Sequence, residues 1–346
     1  MIHFVLLIGC AAAIYLCCEW FVNAVEWLGH RLKVGPLAVG TILAAFGTAL
    51  PESVVTFVAV IFGNGASAKD IGVGAAMGGP LVLATIAYAV TGWMLLARRR
   101  VPARAPVDGV GAAAATGVAR ADVLGDTRKL ARDQTWFLTV FVVKVALGLV
   151  AFAVKPWLGL LFFAAYAVYF WREIRAESAG DEAEALAPLL LQRRRPAPQT
   201  WAVVVQTAAT VVLIFLASQL FVAELDAIGP MLGLPAAVTA LLLSPIATEL
   251  PEIMNVIIWV RQGKTPLALA NISGAMMIQA TVPSGLGLLF TPWRFDAALV
   301  ASGIATMAAM GYLLVLLRTR RLTAGTLSLA ALYYAGFGAF LIALLR

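Results

Sequence analysis

The sequence predicts an all-α integral membrane protein of ten transmembrane helices, arranged as two inverted five-helix repeats. Three observations carry that expectation. The 346 residues are 62% hydrophobic and only 12% charged, with a mean hydropathy of +0.92, whereas soluble domains hold about 45–50% apolar and about 25% charged residues. The apolar residues gather into ten runs suited to crossing a bilayer. The chain also matches itself at a shift of 200 residues, around two short motifs that both end in Pro-Glu.

The runs fall at about 2–27, 34–62, 71–97, 135–154, 156–172, 201–223, 233–260, 265–290, 296–317 and 322–345. Each crossing takes roughly 20 residues, so ten spans use about 200 and leave no room for a large extramembrane domain. This argues against a soluble enzyme or a nucleic-acid binder. The first run holds all three cysteines, Cys10, Cys17 and Cys18, with no histidine beside them and no spacing for zinc or a disulfide framework. They read as small buried thiols. Leu7-Ile8-Gly9-Cys10 has a trace of a lipoprotein cleavage site, but no Lys or Arg precedes it as a charged n-region requires. The segment reads as a retained helix.

Two connections are long and polar: 98–133, rich in Ala, Gly and Arg, and 172–199, which carries Asp181, Glu182 and Glu184 and then Arg193-Arg194-Arg195. Both read as flexible loops with no core of their own. The chain thus divides into a first five-helix repeat at 1–172, including the loop 98–133, a linker at 173–199 and a second repeat at 200–346. The formal net charge is +7, but the basic residues sit in clusters between apolar runs, where they set membrane orientation and need no polyanion partner. Alternating the loops from an outside N-terminus places 20 of the 25 Lys and Arg inside. Lys69, Lys155, Arg294 and Arg346 remain outside, with Lys144 inside a span. The expected location is the cell membrane, with both termini extracytoplasmic.

At the shift of 200, Glu19 meets Gln219, Phe21-Val22 meets Phe221-Val222, Glu26 meets Asp226, Thr48 meets Thr248, and Leu50-Pro51-Glu52 meets Leu250-Pro251-Glu252. Gly78 then meets Gly274 at a shift of 196. The first motif's run enters from the inside after Arg31 and Lys33, the second from the outside after Glu224 and Asp226. The repeats are therefore inverted, as in many secondary transporters, whose sites lie near the midplane on interrupted helices.

Gly47-Thr48-Ala49-Leu50-Pro51-Glu52 and Ala247-Thr248-Glu249-Leu250-Pro251-Glu252 lie midway along their runs. An ionised carboxylate at the bilayer centre costs about 2.5–3.5 kcal/mol, so Glu52, Glu249 and Glu252 together cost roughly 7–10 kcal/mol. A bound cation offsets that. Pro51 has no N–H for the carbonyl of Gly47, and Pro251 none for that of Ala247. Thr48 and Glu52 share one helical face beside the freed carbonyl. Two such turns facing each other supply only oxygen ligands, the preference of hard cations such as Ca²⁺. Among smaller features, Glu19, Asn23 and Glu26 recur at helical spacing and read as interface anchors before a cation path. Ser244 and Pro245 suggest a further bend, Lys144 is expected to snorkel, and the tryptophans suit interface belts and packing.

These residues resemble the calcium/cation antiporter superfamily, which includes the sodium/calcium exchangers. Its pattern is a pair of inverted repeats, each with Gly-Thr-Ser-Leu-Pro-Glu on one helix and Gly-Asn-x-x-Gly-Ser-Asn on the next. Glu19-Trp20-Phe21-Val22 and Gly35-Pro36-Leu37-Ala38-Val39-Gly40-Thr41, leading to Glu52, are close to the family's usual run. The repeats cover roughly a third of the chain, and the ten-span layout agrees with the rest. The resemblance implies a sodium/calcium exchanger-like fold, with Glu52 and Glu252 as central cation ligands helped by Thr48, Thr248 and the carbonyls of Gly47 and Ala247. It also implies Asn271 as the surviving asparagine of the second pattern.

The departures bear on coupling. The motif serine is Ala49 in the first copy and Glu249 in the second; the first asparagine is Ala75; the closing Ser-Asn has become Gly79-Pro80 and Ala275-Met276. In the resemblance those oxygens help form sodium sites, so a proton competes with sodium as counter-ion, with Glu249 as an added acceptor. The expectation is a secondary antiporter, not an enzyme, exchanging Ca²⁺ or a related cation against Na⁺ or H⁺ by alternating access. It needs no cofactor; its partners are inorganic cations and the lipid bilayer, with no nucleic acid and no oligomeric state set by the sequence. Two other readings compete: a family member that binds a cation or partner without transporting it, and an intramembrane acid-dependent enzyme, which needs a carboxylate pair suited to activating water.

Overall fold

The structure, a computed structural model, describes residues 2–61, 66–99, 127–176, 186–195, 197–233 and 239–344. Most of the loop 98–133, part of the linker 173–199 and the side chain of Glu52 fall outside that description. Among the described residues there is no strand, and every apolar run holds helix. Helix α1 (Ile2–Leu32) is followed by a rod made of α2 (Pro36–Ala38), a π-helical turn (Val39–Ala44) and α3 (Ala45–Ile61). The next rod joins α4 (Ala66–Val82), a π turn (Leu83–Ala87) and α5 (Tyr88–Arg99). Helices α6 (Thr127–Leu149), α7 (Gly159–Ala176) and α8 (Thr200–Met231) come next. A third π turn (Thr239–Leu243) leads into α9 (Ser244–Thr248) and α10 (Leu250–Gln262). The chain continues through α11 (Thr265–Phe290), α12 (Ala297–Arg318), α13 (Ala324–Ser328) and α14 (Ala331–Leu344).

Among the described residues, six helical stretches are long and apolar enough to cross a bilayer, and the bent pair ending in α9 and α10 makes up to 7. Helices α6 and α7 fall short of that measure because one end of each is charged: Arg128, Lys129, Arg132 and Asp133 in α6, Arg172, Glu173 and Arg175 in α7. Those ends are cross-linked. Glu173 pairs with Lys129 at 2.9 Å and with Arg132 at 2.6 Å, and the Thr41 hydroxyl of the first π turn donates to it at 3.3 Å.

Helix α1 packs along α8, and both keep apolar side chains such as Leu16 and Leu216 exposed, as suits surfaces facing lipid. Helix α11 is the hub, in contact with α3, α4, α6, α7, α10 and the first π turn. Small residues allow it. A Cβ on Gly274 would collide with the carbonyl of Thr41, and one on Gly40 would lie 2.9 Å from both Ala270 Cβ and Leu267 O. Close backbone approach of this kind supplies the packing that hydrophobicity cannot supply between helices in lipid.

Three expectations need correction. The bend of 51° in the seventh run lies between Thr248 and Leu250, while Ser244-Pro245 marks only the passage from π turn to α9. Asn23 and Glu26 are ties between elements: Asn23 Oδ1 accepts from Leu190 N at 2.9 Å, and Glu26 accepts from Trp259 Nε1 at 2.9 Å and Lys264 Nζ at 2.6 Å. Lys144 does not snorkel; it is fully buried, because its ammonium finds a carbonyl, that of Ala76, inside the protein.

Candidate cation site

The second motif shapes the site. Pro251 brings no N–H, so the helical ladder stops at this point and restarts. Glu249 occupies the joint between α9 and α10 at φ −83° and ψ 5°, in the sparsely populated bridge region. Its own N–H turns back to Pro245 O at 3.1 Å. Glu252 follows in the first turn of α10, where the helix N-terminus favours negative charge.

Both Glu249 and Glu252 are 0% exposed. Gln279 of α11 donates through Nε2 to both carboxylate oxygens of Glu249, at 2.7 and 2.9 Å. Gly79 of α4 makes the room: a Cβ there would press on Glu249 Oε1 and lie 2.6 Å from Gln279 Oε1. Asn255, one turn after Glu252, is fully buried, and neither its Oδ1 nor its Nδ2 has a hydrogen-bond partner among the described residues. Asn271 on α11 is in the same condition. Buried amides without partners are costly, and an oxygen so placed is a natural ligand for a cation.

The first motif is built differently, since α3 runs through Pro51 without a break. The Thr48 hydroxyl donates to Ala44 O at 3.1 Å, and that of Thr248 to Pro245 O at 3.1 Å. With its proton spent on the backbone, each oxygen offers only lone pairs to whatever lies beyond. Gly47 is required by packing, because a Cβ there would meet Phe21 Cζ at 2.6 Å. A cavity of about 100 Å³ separates the two motifs, walled by Thr48, Thr56, Ser218, Thr248, Pro251 and Gln279. Ala75 is also on its wall, at the position where the family pattern has an asparagine.

The structure thus brings Thr48 and Thr248 to one cavity, and Glu249 reaches it through Gln279. Glu252 is buried just past the wall residue Pro251. Asn271 lies two turns before Gln279 on α11, where its backbone N would be 3.3 Å from a Cβ on Gly40, and is not part of the cavity wall. Glu52 stands in α3, one turn after Thr48. Among the described residues no three His, Cys, Asp or Glu side chains converge as a preformed metal cluster.

The sequence profile described as sodium/calcium exchanger protein matches residues 2–174 and 202–343. The chain belongs to this family. The inner membrane protein YrbG of Escherichia coli (strain K12) is 26% identical over 333 residues, covering 91% of this chain and 88% of YrbG. CaxA of Alkalimonas amylolytica, named as a candidate antiporter, is 23% identical over 310 residues, covering 87% and 84%. The sodium-calcium exchanger NCX_Mj soaked with 2.5 mM Na⁺ and 10 mM Sr²⁺ shares the fold at a TM-score of 0.71 and 15% identity, over 96% of this chain and 97% of that one. The same exchanger soaked with 2.5 mM Na⁺ and 0.1 mM Ca²⁺ matches at 0.71 and 16% identity, over 100% and 99%. Membership of the family supports a multi-pass membrane protein that acts as a cation antiporter.

In this sodium/calcium exchanger family member, sequence reasoning gave no role to two buried amides, Gln279 and Asn255. Gln279 lies eight residues after Asn271, hence on the same helical face, and Asn255 lies three after Glu252. An uncharged amide in an apolar helix at those spacings was the available signal.

Proposed function

We propose that the protein is a secondary active antiporter of ten spans in two inverted repeats, exchanging Ca²⁺ or a related cation against H⁺ or Na⁺ by alternating access. The observation that carries the reading is the cavity between Thr48 and Thr248, whose wall residue Gln279 holds the buried carboxylate of Glu249 and whose wall residue Pro251 precedes the buried Glu252. Oxygen-only surroundings suit a hard divalent ion, and embedded acids facing a cavity mark ion paths. Glu52 completes the set by its place in α3. Ala49 and Ala75 offer no side-chain oxygen, while Glu249 adds a carboxylate, and this balance favours the proton as counter-ion. No cofactor takes part, and both termini face outward on the charge bias. Proteoliposomes loaded with buffer at one pH and diluted into another test the reading. Radiolabelled Ca²⁺ uptake driven by the imposed proton or sodium gradient is expected; uptake driven by neither removes the antiporter.

A further inference from the structure

Lys144 lies in the body of α6 and is 0% exposed. Its ammonium donates to the carbonyl of Ala76 in α4 at 2.6 Å and stands 4.8 Å from the centroid of the Phe141 ring. Among the described residues it enters no ion pair. A buried ammonium with no carboxylate is costly in hydrocarbon and needs an explanation. Its placement is well fixed, since the fully buried Trp293 donates through Nε1 to the Lys144 carbonyl at 3.2 Å.

The acceptor supplies the explanation. Pro80 lies inside α4, four residues after Ala76, and has no N–H to close that turn. The helix therefore leaves the Ala76 carbonyl open, and Ala76 belongs to the wall of the cavity between the two motifs. An open carbonyl on the wall of a cavity is a ligand position for a hard cation. Here the ligand position and the group that fills it both come from the chain itself.

We propose that Lys144 is a tethered stand-in for a monovalent cation, whose terminal nitrogen holds the oxygen position that Pro80 opens on α4 in place of a free ion. The assignment of that cavity to transport rests on the antiporter reading; the occupation of the carbonyl does not. One consequence follows: a monovalent position is withdrawn from exchange, leaving coupling to the carboxylates.

Thermal unfolding of the purified protein, free of divalent ions, tests the occupation. The unmodified protein is expected to unfold at the same temperature in NaCl and in N-methyl-D-glucamine chloride at equal ionic strength. Lys144→Ala is expected to unfold several degrees lower in the glucamine salt and to regain most of that loss in NaCl or methylammonium chloride. Adding Pro80→Ala, which returns an N–H to the Ala76 carbonyl, should abolish the regain. A Lys144→Ala protein indifferent to these cations, one that folds in none of the salts, or a regain that survives in the double variant overturns the proposal. Unmodified protein that binds no radiolabelled Ca²⁺ would count against the antiporter reading instead, and the salt comparison would still decide Lys144.

Discussion

The amide of Gln279 spans both carboxylate oxygens of Glu249, at 2.7 and 2.9 Å, from the hub helix α11 to the joint between α9 and α10. A neutral amide orients an acid without neutralising it, so this clamp fixes where the carboxyl group lies on a broken helix. The clamp depends on Gly79, whose missing Cβ leaves the space in which both side chains meet.

Gly79→Ala is therefore expected to displace the pair. Overpacking of this sort costs about 1–3 kcal/mol, and Ca²⁺ flux should fall by at least about tenfold, since small misplacements at a reacting site are costly. Thermal unfolding and proteoliposome flux on the same preparation measure the two effects. A variant with unaltered flux would show that the Glu249–Gln279 geometry has no part in transport.

Glu52→Gln and Glu252→Gln should each abolish cation exchange while leaving a folded protein. The substitution keeps the shape and withdraws the charged oxygen that a divalent ion most needs. Gel filtration reports folding and radiolabelled uptake reports exchange. Full activity in either variant would mean that the two Pro-Glu motifs do not hold the ion.

Much of this was legible in the sequence, because bilayer physics leaves few choices. Apolar runs had to become helices, and Pro251 had to interrupt the ladder beside Glu249. What stayed hidden depends on contacts between distant runs. Lys144 reads as a snorkelling residue until Pro80, 64 positions away in the chain, is seen to leave the Ala76 carbonyl open to it. Glu26 reads as an interface anchor until α10 delivers Trp259 and the following turn delivers Lys264. That turn is set by Gly263 at φ 86°, which ends α10 and returns the Lys264 N–H to Trp259 O at 2.8 Å. The two Pro-Glu motifs are also alike in sequence and unlike in form, since α3 passes through Pro51 while the second run breaks at Glu249.

Orientation follows from the basic bias and is open to chemical labelling. In a variant lacking Cys10, Cys17 and Cys18, single cysteines at Val110 and Ala185, both outside the described residues, are expected to react only from the cytoplasmic side. Modification of both by an impermeant reagent on intact cells would invert the topology.

Removal of one partner from the Glu26–Lys264 pair should destabilise the C-terminal end of α1. Glu26 is 9% exposed and also accepts from Trp259 Nε1, so Glu26→Ala leaves a buried indole N–H and a half-buried ammonium with nothing to bond. A loss of about 2–4 kcal/mol is expected for two charge-assisted or buried hydrogen bonds. Denaturant unfolding in detergent measures it, and a change below about 0.5 kcal/mol, as at an ordinary surface site, would show that the tie is ornamental.

Coupling is where this chain parts from the pattern it resembles. Ala49 and Ala75 supply no side-chain oxygen, whereas Glu249 brings a carboxylate to the joint beside Thr248, held ready by Gln279. Ca²⁺ flux in the unmodified protein is therefore expected to follow an imposed proton gradient. Glu249→Ser restores the residue of the family pattern and withdraws the acid, and should weaken the proton dependence or shift it toward sodium. Gln279 would then lose the partner of both its bonds, which makes Gln279→Asp in the Glu249→Ser background the complementary test: returning a carboxylate from α11 should restore sensitivity to protons. Flux in the unmodified protein that follows sodium and ignores protons would return the chain to sodium coupling and leave Glu249 with a structural role at the helix break.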